Sequence, residues 1–247
     1  MTVFALNAGL DLDALRAAFA RDGRLQIVDF LRHDAAMGLL RAMVESKAWR
    51  LAVNAGQQLN DYDIAELEAW PAERRAALER QIVEGGRAGF QFRYDTIRLP
   101  GYAGAPGGGV PGYEGAPPAV RGFVDFLSRG PALEFLRALT AMDDISFADG
   151  HATRYRPGHF LTAHDDLNQG MGRRAAYVMN VTPQWRPDWG GILQFYDERG
   201  NVERGFVPAF NVLNIFRVPQ PHSVTWVTPL ATAPRHAVTG WLRVADA

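Results

Sequence analysis

The residues of this chain best suited to chemistry are His164-Asp165-Asp166, a distant His222 and, after it, Arg235. His164 and Asp166 are one residue apart. On an extended segment, positions i and i+2 face the same side, so both side chains could reach one metal while Asp165 points away. Imidazoles and a carboxylate suit Fe(II), Mn(II) or Zn(II). Calcium would want more oxygens, and a chain without cysteine offers no thiolate. Two histidines and one carboxylate on one face of a metal leave the other face open, the arrangement in which ferrous iron meets dioxygen. Arg235 adds an anion anchor, because a guanidinium binds a carboxylate through two parallel hydrogen bonds. Taken singly the pieces are weak: His-x-Asp is a short motif, and a lone arginine is most often a surface charge. Their order within a strand-rich half gives them weight.

The positioning elements fall into two parts. Residues 1–143 read as a helix-rich support. Asp11 is a good N-cap, and Leu12, Leu15 and Phe19 form one apolar stripe behind it. Residues 24–31 read as a short strand. Asp34 can cap a second helix with Leu40, Met43 and Val44 inward, and a third helix over 73–84 should stop at Gly85-Gly86. Residues 90–94 alternate as a strand does. The Gly/Pro-rich stretch 100–118, with Tyr102 and Tyr113, reads as an irregular loop that could serve as a lid over a site. Helices over 120–128 and 131–142 follow, the second with proline at its first position. Residues 144–247 read as strands, at 160–163, 175–181, 191–196, 212–216 and 237–242, with a hairpin turn at 197–201. Such spacing predicts a sandwich or jelly roll. The expected fold is therefore α+β, mainly β: a double-stranded β-helix (jelly roll) core with supporting N-terminal helices, in a single catalytic domain over 1–247.

Bulk composition narrows the class. The 247 residues are 47% hydrophobic and 21% charged, ordinary for a globular protein. A formal net charge of −1 gives no field to recruit nucleic acid or an anionic membrane. The lack of cysteine excludes disulfides, thiolate zinc sites and cysteine nucleophiles, and fits a reducing compartment. With no signal-like start and no bilayer-length apolar run, a cytoplasmic location is expected.

The run Arg154-Tyr155-Arg156-Pro157-Gly158-His159-Phe160 through His164-Asp165-Asp166 resembles a stretch of the Fe(II)- and 2-oxoglutarate-dependent dioxygenases of the prolyl hydroxylase type. So do Trp185 with Trp189-Gly190-Gly191, the strand 208–216 before His222, and Arg235 through Gly240-Trp241. The likeness is best over 154–243, and points to the bacterial and fungal branch related to prolyl hydroxylases acting on ribosomal proteins. It implies that His164, Asp166 and His222 hold Fe(II) and that Arg235 pairs with the distal carboxylate of 2-oxoglutarate. It places Tyr155 near that cosubstrate, as a hydrogen-bond donor or simply as a core aromatic. O2 would be the second cosubstrate, and ascorbate an optional reductant. The implied reaction hydroxylates a prolyl C–H bond in a protein or peptide, or otherwise a free amino acid or small molecule. Two departures from the family bear on the cosubstrate. Asn180 stands where many relatives carry a tyrosine, with Tyr177 nearby on the opposite strand face, and Ala237 replaces a serine or threonine. A non-catalytic metal-binding jelly-roll module and a cupin-like isomerase or hydrolase are the rival readings. His33, His151, His159 and His236 receive no role, and His236 should face away from Arg235.

Overall fold

The computed structural model describes residues 2–55, 58–99, 115–168 and 170–245. Asp11 caps as its position suggests: its carboxylate accepts from the Ala14 amide, and α1 (Leu12–Asp22) runs until Gly23 turns left-handed at φ 65°. The second helix, α2 (His33–Glu45), differs from expectation. Arg32 takes the cap position, and Asp34 sits in the first turn, where its charge favours the helix dipole. After α3 (Ile64–Glu68), α4 (Ala72–Ala88) passes through Gly85 and Gly86, the expected stop. A side chain at Gly85 would meet the Gln91 amide, so close packing uses the missing Cβ there. Helices α5 (Pro118–Leu127) and α6 (Gly130–Thr140) follow, with Pro131 in the first turn of the latter. The expected lid lies almost wholly outside the described residues, at 100–114; of its end, Pro118 already opens α5.

The strands are β1 (Arg24–Ile27), β2 (Arg50–Ala55), β3 (Gln58–Asp63), β4 (Phe92–Arg98), β5 (Phe147–Tyr155) and β6 (Phe160–His164). They continue as β7 (Arg173–Val181), β8 (Leu193–Tyr196), β9 (Val202–Phe206), β10 (Phe210–Arg217), β11 (His222–Val224) and β12 (Arg235–Arg243). The order is β1-β10-β7-β12-β5-β4-β6-β11-β8-β9, with the β2–β3 hairpin attached to β4. Every pairing is antiparallel. β4 turns the corner, pairing with β5 through Asp95–Arg98 and with β6 through Phe92 and Arg93. The two ends of the sheet are tied by an Arg24–Glu203 ion pair and by Gln26 donating to the Val207 carbonyl. The result is the nearly closed jelly-roll barrel that the strand spacing predicts.

Two apolar layers hold it. Leu39, Met43, Phe123 and Leu136 from the helices pack on Tyr177, Val238 and Leu242 at the back of the larger sheet. Inside, Val178, Leu193, Phe195, Phe216 and Val224 fill the space between the sheets, and the metal-type residues lie at this inner layer. No described helix is long and apolar enough to cross a membrane.

Candidate metal centre and cosubstrate pocket

β6 ends at His164, and Asp166 lies beyond it with φ 64°, in the left-handed region that aspartate tolerates better than most residues. The two candidate ligands therefore do not sit at i and i+2 of one strand, as their spacing suggests. A turn after the strand folds the Asp166 carboxylate back, its Oδ1 lying 3.4 Å from His164 Nε2. His222 arrives by strand pairing: β11 runs antiparallel to β6, with His222 directly opposite His164. Its Nε2 is 3.6 Å from Asp166 Oδ2, and the two imidazoles lie 4.1 Å apart. One donor atom from each of the three residues falls within 4.8 Å of the others.

The outward ring nitrogens fix the tautomers. His164 Nδ1 lies 3.0 Å from the Thr162 carbonyl, and His222 Nδ1 lies 2.7 Å from the Gln220 carbonyl. A carbonyl can only accept, so each Nδ1 carries the hydrogen and each Nε2 presents a lone pair to the cluster. Burial, with His164 beside it, pushes the His222 imidazole down to about 4. Burial also works to raise the Asp166 carboxyl, but the His164 hydrogen bond and the neighbouring positive charges outweigh it and hold it at about 2. At neutral pH His222 and Asp166 are thus in the protonation states a cation needs.

Arg235 opens β12 and is 2% exposed. Its Nη1 donates to the Gly191 carbonyl at 2.8 Å and its Nε to Asn180 Oδ1 at 3.4 Å, while its guanidinium lies 5.2 Å from the Tyr155 ring centre. Among the described residues no carboxylate pairs with it. Burial lowers its pKa to about 10, so it remains a cation at neutral pH. Asn180, at the position where many members of the resembled family carry a tyrosine, turns its Oδ1 to the Arg235 Nε. Tyr177 is turned elsewhere, its hydroxyl donating to the Asp149 carbonyl at 2.9 Å.

His164, Asp166, His222, Tyr155 and Arg235 all open on one cavity of about 350 Å³. Sequence reasoning missed others on its wall. Arg173 lies over Trp241, 3.6 Å from the ring centre, and its Nη1 donates to the Asp166 carbonyl, bracing the ligand turn. Tyr94, Arg98 and His151 come from β4 and β5, whose inward faces only the sheet order reveals. Burial pushes His151 down to about 3, so it is neutral there. His33, His159 and His236 are structural: His33 edges Phe210, His159 lies 4.0 Å from Asp95, and His236 packs near Trp49.

Residues 150–243, which carry Tyr155, His164, Asp166, His222 and Arg235, match the 2OG-Fe(II) oxygenase superfamily. The likeness to that superfamily covers this stretch of the chain. It is 28% identical over 114 residues to "Prolyl 3-hydroxylase OGFOD1" of Mus musculus, a match covering 43% of this chain and 20% of that protein. The chain thus spans about a fifth of the length of this curated relative. In fold it is similar to a prolyl-4-hydroxylase of Pseudomonas putida, with a TM-score of 0.59 at 17% identity, over 96% of this chain and all (100%) of that one. It is also similar to a Trichoplax adhaerens prolyl hydroxylase in complex with a hypoxia inducible factor peptide fragment, with a TM-score of 0.53 at 16% identity, over 94% of this chain and 88% of the other. The matched family's name points to Fe(II) and 2-oxoglutarate. The residues fit both: three oriented donors for the metal, and for the keto acid a buried cation with no carboxylate partner among the described residues.

Proposed function

We propose that this protein is an Fe(II)- and 2-oxoglutarate-dependent hydroxylase acting on a prolyl residue of a protein or peptide. The observation that carries the reading is Arg235, a buried guanidinium with no counter-ion among the described residues, on the same cavity as the His164–Asp166–His222 cluster. A buried charge is costly unless something pairs with it. A metal module kept for structure would have no use for such a cation, whereas a dicarboxylate cosubstrate supplies the missing partner. The prolyl substrate draws its support from the relatives, each of which is a prolyl hydroxylase by name.

In this reading His164 and His222 would offer Nε2, and Asp166 one oxygen, to hold Fe(II). With O2, the bound iron and 2-oxoglutarate supply the oxidising equivalent that converts a C–H bond to C–OH, with succinate and CO2 as the other products. Arg235, steadied by Asn180 and Gly191, receives the distal carboxylate, and Tyr155 donates a hydrogen bond beside it. Arg173 keeps the Asp166 turn in place. Val178, Leu193 and Val224 line the cavity with apolar surface and so limit stray water.

Anaerobic titration of the metal-free protein with Fe(II), then 2-oxoglutarate, tests this through the visible charge-transfer band of an iron–keto-acid chelate. The band should form in the parent and vanish in His164→Ala. In Arg235→Ala it should need about 30-fold more 2-oxoglutarate or higher, the consequence of losing one side of a buried ion pair. Metal binding without a band would sink the oxygenase reading. The prolyl assignment is checked separately, by mass spectrometry of a proline-containing peptide pool for gain of one oxygen.

A further inference from the structure

Tyr94 of β4 opens on the same cavity as the metal cluster. Its ring stacks on Tyr155 at 5.3 Å and 24°, and on His151 at 6.2 Å and 27°. The three rings form a ladder that starts beneath Arg235 and leads toward Arg98. Stacking fixes the ring plane and so the direction of the hydroxyl. Among the described residues that hydroxyl has no hydrogen-bond partner. Stacking does not account for it, because phenylalanine would stack equally well, and partly buried Tyr94 presents its polar end where a ligand can reach the cavity wall.

The charges around the hydroxyl narrow what that partner is. Arg98, Asp61 and Asp166 all act on it through space. Arg98 donates Nε to Asp61 Oδ2 at 2.7 Å and Nη2 to Oδ1 at 3.3 Å, so this corner is a charge-balanced pair. Arg173 is placed elsewhere on the wall, against Trp241 and the Asp166 carbonyl. A carboxylate brought to Tyr94 would face Asp166 and find its nearest cation already paired. Burial pushes the Tyr94 phenol up to about 12, so it stays a neutral donor at working pH.

We propose that the Tyr94 hydroxyl is a substrate-binding group that donates a hydrogen bond to a neutral carbonyl oxygen of the primary substrate, an amide carbonyl beside the reacting ring. The inference rests on the hydroxylase reading above. Its geometry separates Tyr94 from the cosubstrate: Asn180, Gly191 and Tyr155 surround Arg235, and Tyr94 lies one ring further along the ladder, toward Arg98. The carbonyl it would hold belongs to an amide-linked residue and not to a free amino acid.

Two probes that differ only at this group decide the matter. N-acetyl-L-proline methylamide carries a neutral carbonyl where N-acetyl-L-proline carries a carboxylate. Each is titrated anaerobically into the Fe(II)–2-oxoglutarate protein, following the shift of the charge-transfer band, in the parent and in Tyr94→Phe. The amide should bind the parent about fivefold or more tighter than the acid, and Tyr94→Phe should weaken the amide about three- to tenfold, the range of one net hydrogen bond. The 2-oxoglutarate affinity of the variant should stay within about twofold of the parent. The proposal is overturned by equal amide binding in both proteins, by tighter binding of the acid, by no response to either probe, or by weakened 2-oxoglutarate in Tyr94→Phe. Absence of any band in the parent is a different failure, because it removes the hydroxylase reading itself.

Discussion

At the Arg235 guanidinium a single positive charge stands among neutral groups, held by an amide oxygen on one side and a peptide carbonyl on the other. That anchoring matters as much as the charge, since it presents the planar fork in one orientation. Arg235→Lys keeps the cation but loses the fork. It should raise the 2-oxoglutarate dissociation constant by about 10- to 100-fold and leave Fe(II) affinity within about twofold, read from the charge-transfer titration. Affinity equal to the parent would show that charge alone holds the carboxylate. Asn180→Ala removes the long 3.4 Å bond to Nε together with the Nδ2 donations to the Val178 and Val212 carbonyls, none of them short, so the same titration should show a loss of about threefold. A larger loss would mean that Asn180 touches the cosubstrate directly. The types and order of His164, Asp166, His222 and Arg235 made this site legible in the sequence. The left-handed turn at Asp166 was not, because it follows from where β11 ends the pairing of β6, a non-local fact.

The strands that carry these residues are held in register by close backbone contact. Gly240 of β12 faces Gly150 of β5, and a Cβ on Gly240 would fall 1.9 Å from the Asp149 carbonyl oxygen and 2.7 Å from Gly150 Cα. The same carbonyl accepts the Tyr177 hydroxyl, so the two glycines and the tyrosine form one packed unit beneath the cavity. Gly240→Ala must push β12 from β5. It should cost about 3 kcal/mol or more, seen as a lower urea midpoint or insoluble expression. An unchanged midpoint would show that the sheet parts freely there. Long strands with their own apolar pattern, such as β7, β10 and β12, were visible in the sequence. β3, with the sequence Gln58-Leu59-Asn60-Asp61-Tyr62-Asp63, and β9, exposed over its first four residues, were not. Their strand state comes from partners β2 and β8, which no local pattern encodes. The three-residue β11 was too short to read, yet it delivers His222.

Across the whole molecule, the fold keeps four of its six histidines inside and neutral. Burial depresses each of them: His151 to about 3, and His159, His222 and His236 to about 4. An unfolded chain would protonate all four near 6.5. The sign follows directly. Above about pH 6.5 neither state binds these protons and stability is at its full value. As the pH falls from 6.5 toward 4 the unfolded state takes up protons that the fold refuses, and stability is lost. Asp166, held at about 2, pulls the same way at lower pH, since its contribution is present above the ordinary carboxylate range and fades as the pH drops toward 2. Metal-free protein should therefore show a flat urea midpoint from about pH 8 to pH 7 and a steep decline from about pH 6.5 to pH 4. Each titrating histidine can contribute up to ~1.4 kcal/mol per pH unit. His236 lies against Trp49, away from the metal cluster, so His236→Asn should flatten the decline without changing Fe(II) affinity at neutral pH, whereas a change at His222 should alter both. A midpoint as high at about pH 5 as at pH 7.5 would mean that the buried imidazoles take protons in place, and the pocket would then be far more open to water than its packing indicates.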